Sequence, residues 1–407
     1  MSTTTNTNPS TAGTGPGSAI PTGWYHSGDC DLDEFRTVVE AATELSDYPH
    51  ADEVVQNVLV YGERMRPAVD DKASRRHVQA ELARALLSGP GIVVIRGAVQ
   101  PDVVDRATEA FVALIEAQKR AGAAAGDHFA KPGANDRVWG ALDKLAIADP
   151  ETFAVYYACD ALALVSEAWL GPGYQVTSQV NVVNPGGQAQ VAHRDYHLGF
   201  MDLDRAAAFP AQVHALSPAL TLQGAVAHVD MPVETGPTLY LPHSQKYGAG
   251  YLAYHDPVFT AYVEEHHVQL PLRKGDAAFF NPAVLHGAGT NRTSDVRRMA
   301  NLLQVSSAFG RAMETVDTTA ICRAVHPVLR RWRAEGVDER AIDNVVAAAA
   351  EGYPFPTNLD LDQPVGSLVP QTEADLLHRA LVEDWDTARL VSELDARQAR
   401  RRSQGGA

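Results

Sequence analysis

Between residues 92 and 305 the β-like stretches are short, and glycine or proline separates them. They cover 92–95, 174–184, 220–229, 238–241, 268–272, 276–280 and 298–305. β-Branched and aromatic side chains pack well on a pleated surface, so bounded runs of this kind read as strands. Many in succession point to a closed barrel or a double sheet. Before and after this stretch the apolar period is helical. Leu32, Phe35, Val38, Val39, Ala42 and Leu45 share one face of a helix over 31–45, and further helices are expected over 51–64, 73–87, 102–119 and 153–170. Helices return over 320–334, 339–351 and 372–394, with a proline-rich link at 354–370. The expected class is α+β, a β core with flanking N- and C-terminal helices.

Residues 1–22 are mostly Thr, Asn, Gly and Pro, bury too little to offset the entropy of ordering, and read as a disordered tail. The remainder divides into an N-terminal helical extension at 23–88, a catalytic β unit with inserted helices at 89–310 and a C-terminal helical region at 311–407. In the last helix Leu376, Leu377, Ala380, Leu381, Trp385 and Ala388 form an apolar stripe. It calls for packing on the β core or, as in a homodimer, on a second copy of the chain.

A chain of 407 residues with 45% apolar residues can fill a large core. Its formal charge of -16 opposes nucleic acid and anionic membranes, both of which attract Lys/Arg-rich surfaces, and leaves a small molecule as the expected partner. Cys30, Cys159 and Cys322 lie far apart and read as reduced thiols. With no long apolar span and no basic-then-apolar leader, the expected location is cytoplasmic, away from membranes.

The chemistry-bearing feature is His193-Arg194-Asp195. On an extended segment, residues two apart point to one side, so His193 and Asp195 can share a metal ion. His286, after the apolar run 277–280, is the candidate third ligand. Two histidines and a carboxylate on one face of an octahedron leave three positions open, as in non-haem Fe(II) oxygenases. Structural zinc sites usually fill four positions, commonly with cysteine, and no cysteine is nearby. His228-Val229-Asp230 has the same spacing, and spacing alone does not choose between the two pairs. Arg297, eleven residues past His286, is a fork-shaped cation suited to a carboxylate. Arg292 and Arg298 compete for that role, and alternation along the strand puts Arg298 on the opposite face from Arg297. Gln179 and Asn181 share one face of their strand, and alternation puts His197 with His193 and Asp195. The loop 121–136, with His128 and Lys131, reads as a surface connection or a lid.

Taken in order, His193-x-Asp195, the stretch 234–244 (ETGPTLYLPHS), His286 and Arg297 resemble the phytanoyl-CoA dioxygenase family of Fe(II)/2-oxoglutarate oxygenases. The resemblance runs from about residue 89 to 307 and selects His193 and Asp195 over the rival pair. It implies a double-stranded β-helix, a cupin-like jelly roll, with His193, Asp195 and His286 holding Fe(II). It further implies 2-oxoglutarate and O2 as cosubstrates, with Arg297 on the far carboxylate of 2-oxoglutarate. The family often has a hydroxyl residue two after the distal histidine, where this chain has Ala288; Thr238, Gln179 or Asn181 are the candidates to replace that contact. His197, Asn181 and Lys131 are candidate substrate contacts, and no catalytic residue is expected beyond the metal centre. Related halogenases replace the metal carboxylate by a small residue, so Asp195 points to hydroxylation of a small organic metabolite. Desaturation, epoxidation and ring closure use the same centre, and a cupin-like metal or ligand-binding protein is the alternative outside enzymes. No basic patch suited to a CoA diphosphate stands out.

Overall fold

The structure, a computed structural model, describes residues 23–122 and 134–403. The expected tail at 1–22 lies outside these residues, as do Lys131 and most of the 121–136 loop. Eleven strands are present among the described residues: β1 (Glu53–Val55), β2 (Val58–Tyr61), β3 (Ile92–Ile95), β4 (Asn135–Val138), β5 (Gln175–Val183), β6 (Thr221–Ala227), β7 (Leu239–Leu241), β8 (Val268–Gln269), β9 (Ala277–Phe280), β10 (Leu285–Gly287) and β11 (Arg298–Ser306). Eight form one sheet in the order β1-β2-β3-β9-β6-β11-β5-β4, antiparallel except for β2 on β3, and three form a second in the order β10-β7-β8.

Alternation along each strand divides the core. On β2 and β3, Leu59, Tyr61, Val93 and Ile95 join the large apolar cluster with the helices, while Val58, Val60, Ile92 and Val94 meet Tyr240, Leu270 and Phe280. Around β2 and β3 the large sheet therefore has helices on one face and the small sheet on the other, with apolar side chains buried on both. That explains why β2 and β3 read as continuous apolar runs. Fully burying each Val, Leu or Ile contributes about 1.5–3 kcal/mol. The cavity described below lies between the two sheets.

The helices over Lys72–Leu87, Pro101–Arg120, Thr318–Glu335 and Glu339–Ala349 follow the expected periods. Four expected helices differ. The helix expected over 31–45 covers only Leu32–Val39, and Leu45 lies in a separate single turn, Leu45–Asp47. The helix expected over 51–64 is the hairpin β1–β2, turned by Gln56 (φ 50) and Asn57 (φ 66). Two central residues at positive φ match the twist of a tight hairpin, and Asn is a usual occupant of one of them. The stretch 153–170 is two helices, Pro150–Tyr157 and Asp160–Leu170, and 372–394 is also two, Glu373–Val382 and Thr387–Arg400, broken at Asp384 (φ 52). Leu376, Leu377, Ala380, Leu381 and Trp385 bury their stripe within this chain's own helical core. No single helix among the described residues is long and apolar enough to cross a membrane.

Candidate metal centre

The segment carrying His193 and Asp195 enters through a turn at Pro185-Gly186-Gly187, where Gly186 has φ 81. It then runs antiparallel to β10. His193 N donates to His286 O (2.9 Å), and His286 N donates back to His193 O (3.1 Å). This pairing places two histidines that are distant in sequence side by side, with ring centroids 4.8 Å apart.

Arg194 points the other way and anchors the segment. It is 1% exposed, donates from Nη2 to the carbonyls of Ser244 (2.5 Å) and Tyr247 (3.0 Å), and lies over the Tyr251 ring. A Cβ on Gly250 would come within 2.0 Å of its guanidinium, so only glycine fits there. Burial lowers its pKa to about 10, which leaves it charged at neutral pH.

On the cavity side, one ligand atom each from His193, Asp195 and His286 falls within a 4.8 Å group, positioned to hold one ion. His193 Nε2 is 3.6 Å from Asp195 Oδ1, and His286 Nε2 is 3.4 Å from Asp195 Oδ2. Each imidazole turns Nδ1 to a backbone carbonyl, Val191 O at 2.8 Å and Val284 O at 2.9 Å. A carbonyl only accepts, so Nδ1 carries the proton and Nε2 keeps its lone pair for a metal. Burial works against ionisation of Asp195. In the metal-free form, where Nε2 also carries a proton, the hydrogen bond and charge of His286, the charge of His193 and the Gln223 amide outweigh that and hold its pKa down at about 2; a bound cation would take the place of those protons. Two neutral nitrogen donors and one carboxylate fit a divalent ion such as Fe(II).

The arginines fall opposite to expectation. Arg297 precedes β11, is half-exposed, and binds Asn184 Oδ1 (3.1 Å) and Asp136 Oδ2 (2.8 Å) away from the cavity. Arg298 is the first residue of β11 and lines the cavity with Thr238, Ala288 and Ala300. It is 7% exposed, donates from Nη1 to the carbonyls of Thr235 and Gly289 (3.3 Å each), and has no carboxylate partner among the described residues. Burial lowers its pKa to about 10, so the cation persists at neutral pH. A buried, forked cation with no carboxylate of its own fits an organic dicarboxylate.

Thr238 and Asn181 line the same cavity, whereas Gln179 is buried behind it and donates to Glu314 (2.6 Å). His197 does not share the face of His193. The left-handed backbone at Tyr196 (φ 37) breaks the alternation, and His197 contacts Ser217 instead. Sequence reasoning missed Gln223, Gln304 and Trp139, which line the cavity together with Arg298 and with Arg137, whose guanidinium stacks on Trp139.

The rival His228 is buried between two hydroxyls, Thr108 (2.8 Å from Nδ1) and Tyr156 (3.0 Å from Nε2). Burial depresses its pKa from 6.5 to about 3. The folded state therefore refuses a proton that the unfolded state accepts below 6.5. Its contribution is complete above pH 6.5 and declines by about 1.4 kcal/mol per pH unit as pH falls towards 3. His228→Gln is expected to flatten the acid limb of a stability–pH curve and leave iron stoichiometry unchanged, measured by denaturant titration and metal analysis. An unchanged acid limb would remove His228 as its source.

Two imidazoles and one carboxylate around a single ion position, in a cavity that also holds an unpaired cation, define a mononuclear metal enzyme of the non-haem iron type. A family model described as phytanoyl-CoA dioxygenase (PhyH) matches residues 88–299, more than half of the chain, and the protein belongs to that family. It is a non-haem iron, 2-oxoglutarate-dependent enzyme. Among solved structures it is similar to SnoN, a non-haem alpha-ketoglutarate-dependent epimerase from nogalamycin biosynthesis. That match has 21% identity and a TM-score of 0.39, and covers 58% of this chain and 82% of that one. It is also similar to the carbocyclase SnoK from the same biosynthesis, at 20% identity and a TM-score of 0.39, covering 56% and 83%. AviO1 from Streptomyces viridochromogenes Tue57 has 17% identity and a TM-score of 0.42, covering 60% and 97%. No curated protein sequence matches the chain significantly.

Proposed function

We propose that the protein is an Fe(II)/2-oxoglutarate-dependent dioxygenase that hydroxylates a small organic molecule, built on a double-stranded β-helix. His193, Asp195 and His286 hold the iron, and Arg298 takes the far carboxylate of 2-oxoglutarate. The observation that carries this reading is the convergence of those four side chains on one cavity between the sheets. Bound iron with 2-oxoglutarate supplies oxidative decarboxylation to succinate and CO2 coupled to oxidation of a C–H bond. The chain's own part is positional. Arg298 and Thr238 orient the cosubstrate, and Ala288 and Ala300 leave room for it. Phe280, Met231 and Leu302 keep the site dry, which strengthens each charge contact. Desaturation, epoxidation or ring closure would need the same residues and differ only in where the substrate sits.

In this reading the catalytic unit is the β region expected at 89–310 together with the hairpin β1–β2, which completes one edge of the large sheet. A cytoplasmic location is supported by the three unpaired cysteines, Cys30, Cys159 and Cys322. Burial pushes the thiols of Cys30 and Cys159 up to about 11 and leaves them unreactive.

Anaerobic titration of apo-protein with Fe(II) and then 2-oxoglutarate is expected to give the weak visible charge-transfer band of an iron chelate, followed by succinate release in air. Folded, iron-loaded protein that gives neither would favour a metal-binding protein without turnover.

A further inference from the structure

The metal segment meets the large sheet at two consecutive residues. Asp195 Oδ2 accepts a 2.5 Å hydrogen bond from Gln223 Nε2 on β6. The next residue, Tyr196, donates its hydroxyl to Gln304 Oε1 on β11. Gln223 and Gln304 are direct cross-strand partners, both buried and both lining the cavity. Consecutive side chains on an extended segment point to opposite sides. The left-handed Tyr196 lets both reach the same sheet, and a non-glycine residue stays in that conformation only where its surroundings over-determine it.

The Gln223 amide has one sensible orientation. An ionised carboxylate only accepts, so the amide NH2 must face Asp195 and the amide oxygen must face away. That oxygen is buried and has no hydrogen-bond partner among the described residues. The side chain thus leaves one end unbonded while the other holds Asp195.

We propose that Gln223 and Gln304 form a paired carboxamide clamp that positions the metal carboxylate, with Gln223 Nε2 occupying Oδ2 so that Oδ1 alone is left for the ion. This inference rests on the reading of His193, Asp195 and His286 as the ligands. A carboxylate restrained to one oxygen takes one coordination position; an unrestrained one can turn and take two. Gln223 and Gln304 are positioning residues that keep the opposite face open for cosubstrate and oxygen.

Co(II) tests the clamp without turnover, because its visible absorption weakens as its coordination number rises. Gln223→Met has nearly the same volume and no donor. It is expected to keep the apo-protein melting temperature within a few degrees, to weaken Co(II) binding roughly 10–100-fold and to lower the visible intensity. Gln304→Met is expected to weaken binding by a smaller factor. Gln223→Asn, polar but too short to reach Asp195, is measured alongside in case the methionine variant does not fold. Wild-type Co(II) affinity and spectrum in a folded Gln223 variant would overturn the clamp. So would wild-type protein that binds no Co(II), or binds it equally in Asp195→Ala. If Co(II) binds through Asp195 but 2-oxoglutarate with Fe(II) gives no charge-transfer band, the dioxygenase reading fails and the clamp is still decided by the Co(II) data.

Discussion

Asp195→Ala is expected to abolish turnover and iron retention while the protein stays folded. The side chain supplies the one negative ligand of the proposed centre, held between His193 Nε2 and His286 Nε2 at 3.6 and 3.4 Å. Loss of a group that merely orients a ligand costs roughly 10–100-fold in metal affinity, so loss of the carboxylate itself should exceed about 100-fold. Stability should change little. The variant strands the Gln223 amide, at a cost of about 1–3 kcal/mol for an unsatisfied buried donor, but also removes a buried charge. Metal analysis after desalting and circular dichroism check both halves of the expectation. Iron retained at wild-type stoichiometry in a folded Asp195→Ala protein would move the site elsewhere, and His228 with Asp230 would be tested next. Those two are poor substitutes: both His228 nitrogens face hydroxyls, and Asp230 accepts from Lys274 N.

Period-two logic worked in the sequence wherever the backbone was extended and failed where it was not. His193 and Asp195 share a side because His193 bridges His286 on β10 and Asp195 N carries the same segment on to Pro282 O, and Asn181 lines the cavity because β5 is a regular nine-residue strand. One residue further on, φ 37 at Tyr196 ends the alternation, and His197 turns to Ser217. A tyrosine in left-handed backbone leaves no sequence signal. The faces of the two arginines departed from expectation for the same reason. The phase was carried from His286 through the 288–297 turn, where side chains do not alternate, whereas β11 begins at Arg298 and is registered against Val183. Alternation fixes relative faces within a strand; it does not carry across a loop. The hairpin at 53–61 was misread because Val54, Val55, Val58, Leu59 and Tyr61 fit a helical stripe as well as two strands. There β-branched content and the Gln56-Asn57 turn were the better guides. Gln223 and Gln304 could not have been found by motif, because their role comes from cross-strand pairing between segments about 80 residues apart.

Arg298→Gln is expected to raise the 2-oxoglutarate concentration needed for half-maximal succinate release by about a hundredfold, with Arg297→Ala close to wild type. The two neighbours differ in what surrounds them. Arg298 is 7% exposed inside the cavity, so a carboxylate bound to it is shielded from water. Removing one partner of a buried, hydrogen-bonded charge pair costs about 2–5 kcal/mol, and each 1.4 kcal/mol is roughly tenfold. Arg297 already pairs with Asp136 at the surface, where such bridges contribute only about 0–1 kcal/mol. Arg298→Lys should fall between, since it keeps the charge but not the fork that meets both carboxylate oxygens. The cosubstrate response also separates binding from folding: a merely structural Arg298 would lower the melting temperature and leave the 2-oxoglutarate requirement unchanged. A strong cosubstrate defect in Arg297→Ala alone would mean that its side chain leaves Asp136 and enters the cavity when the cosubstrate binds, and the role would return to Arg297.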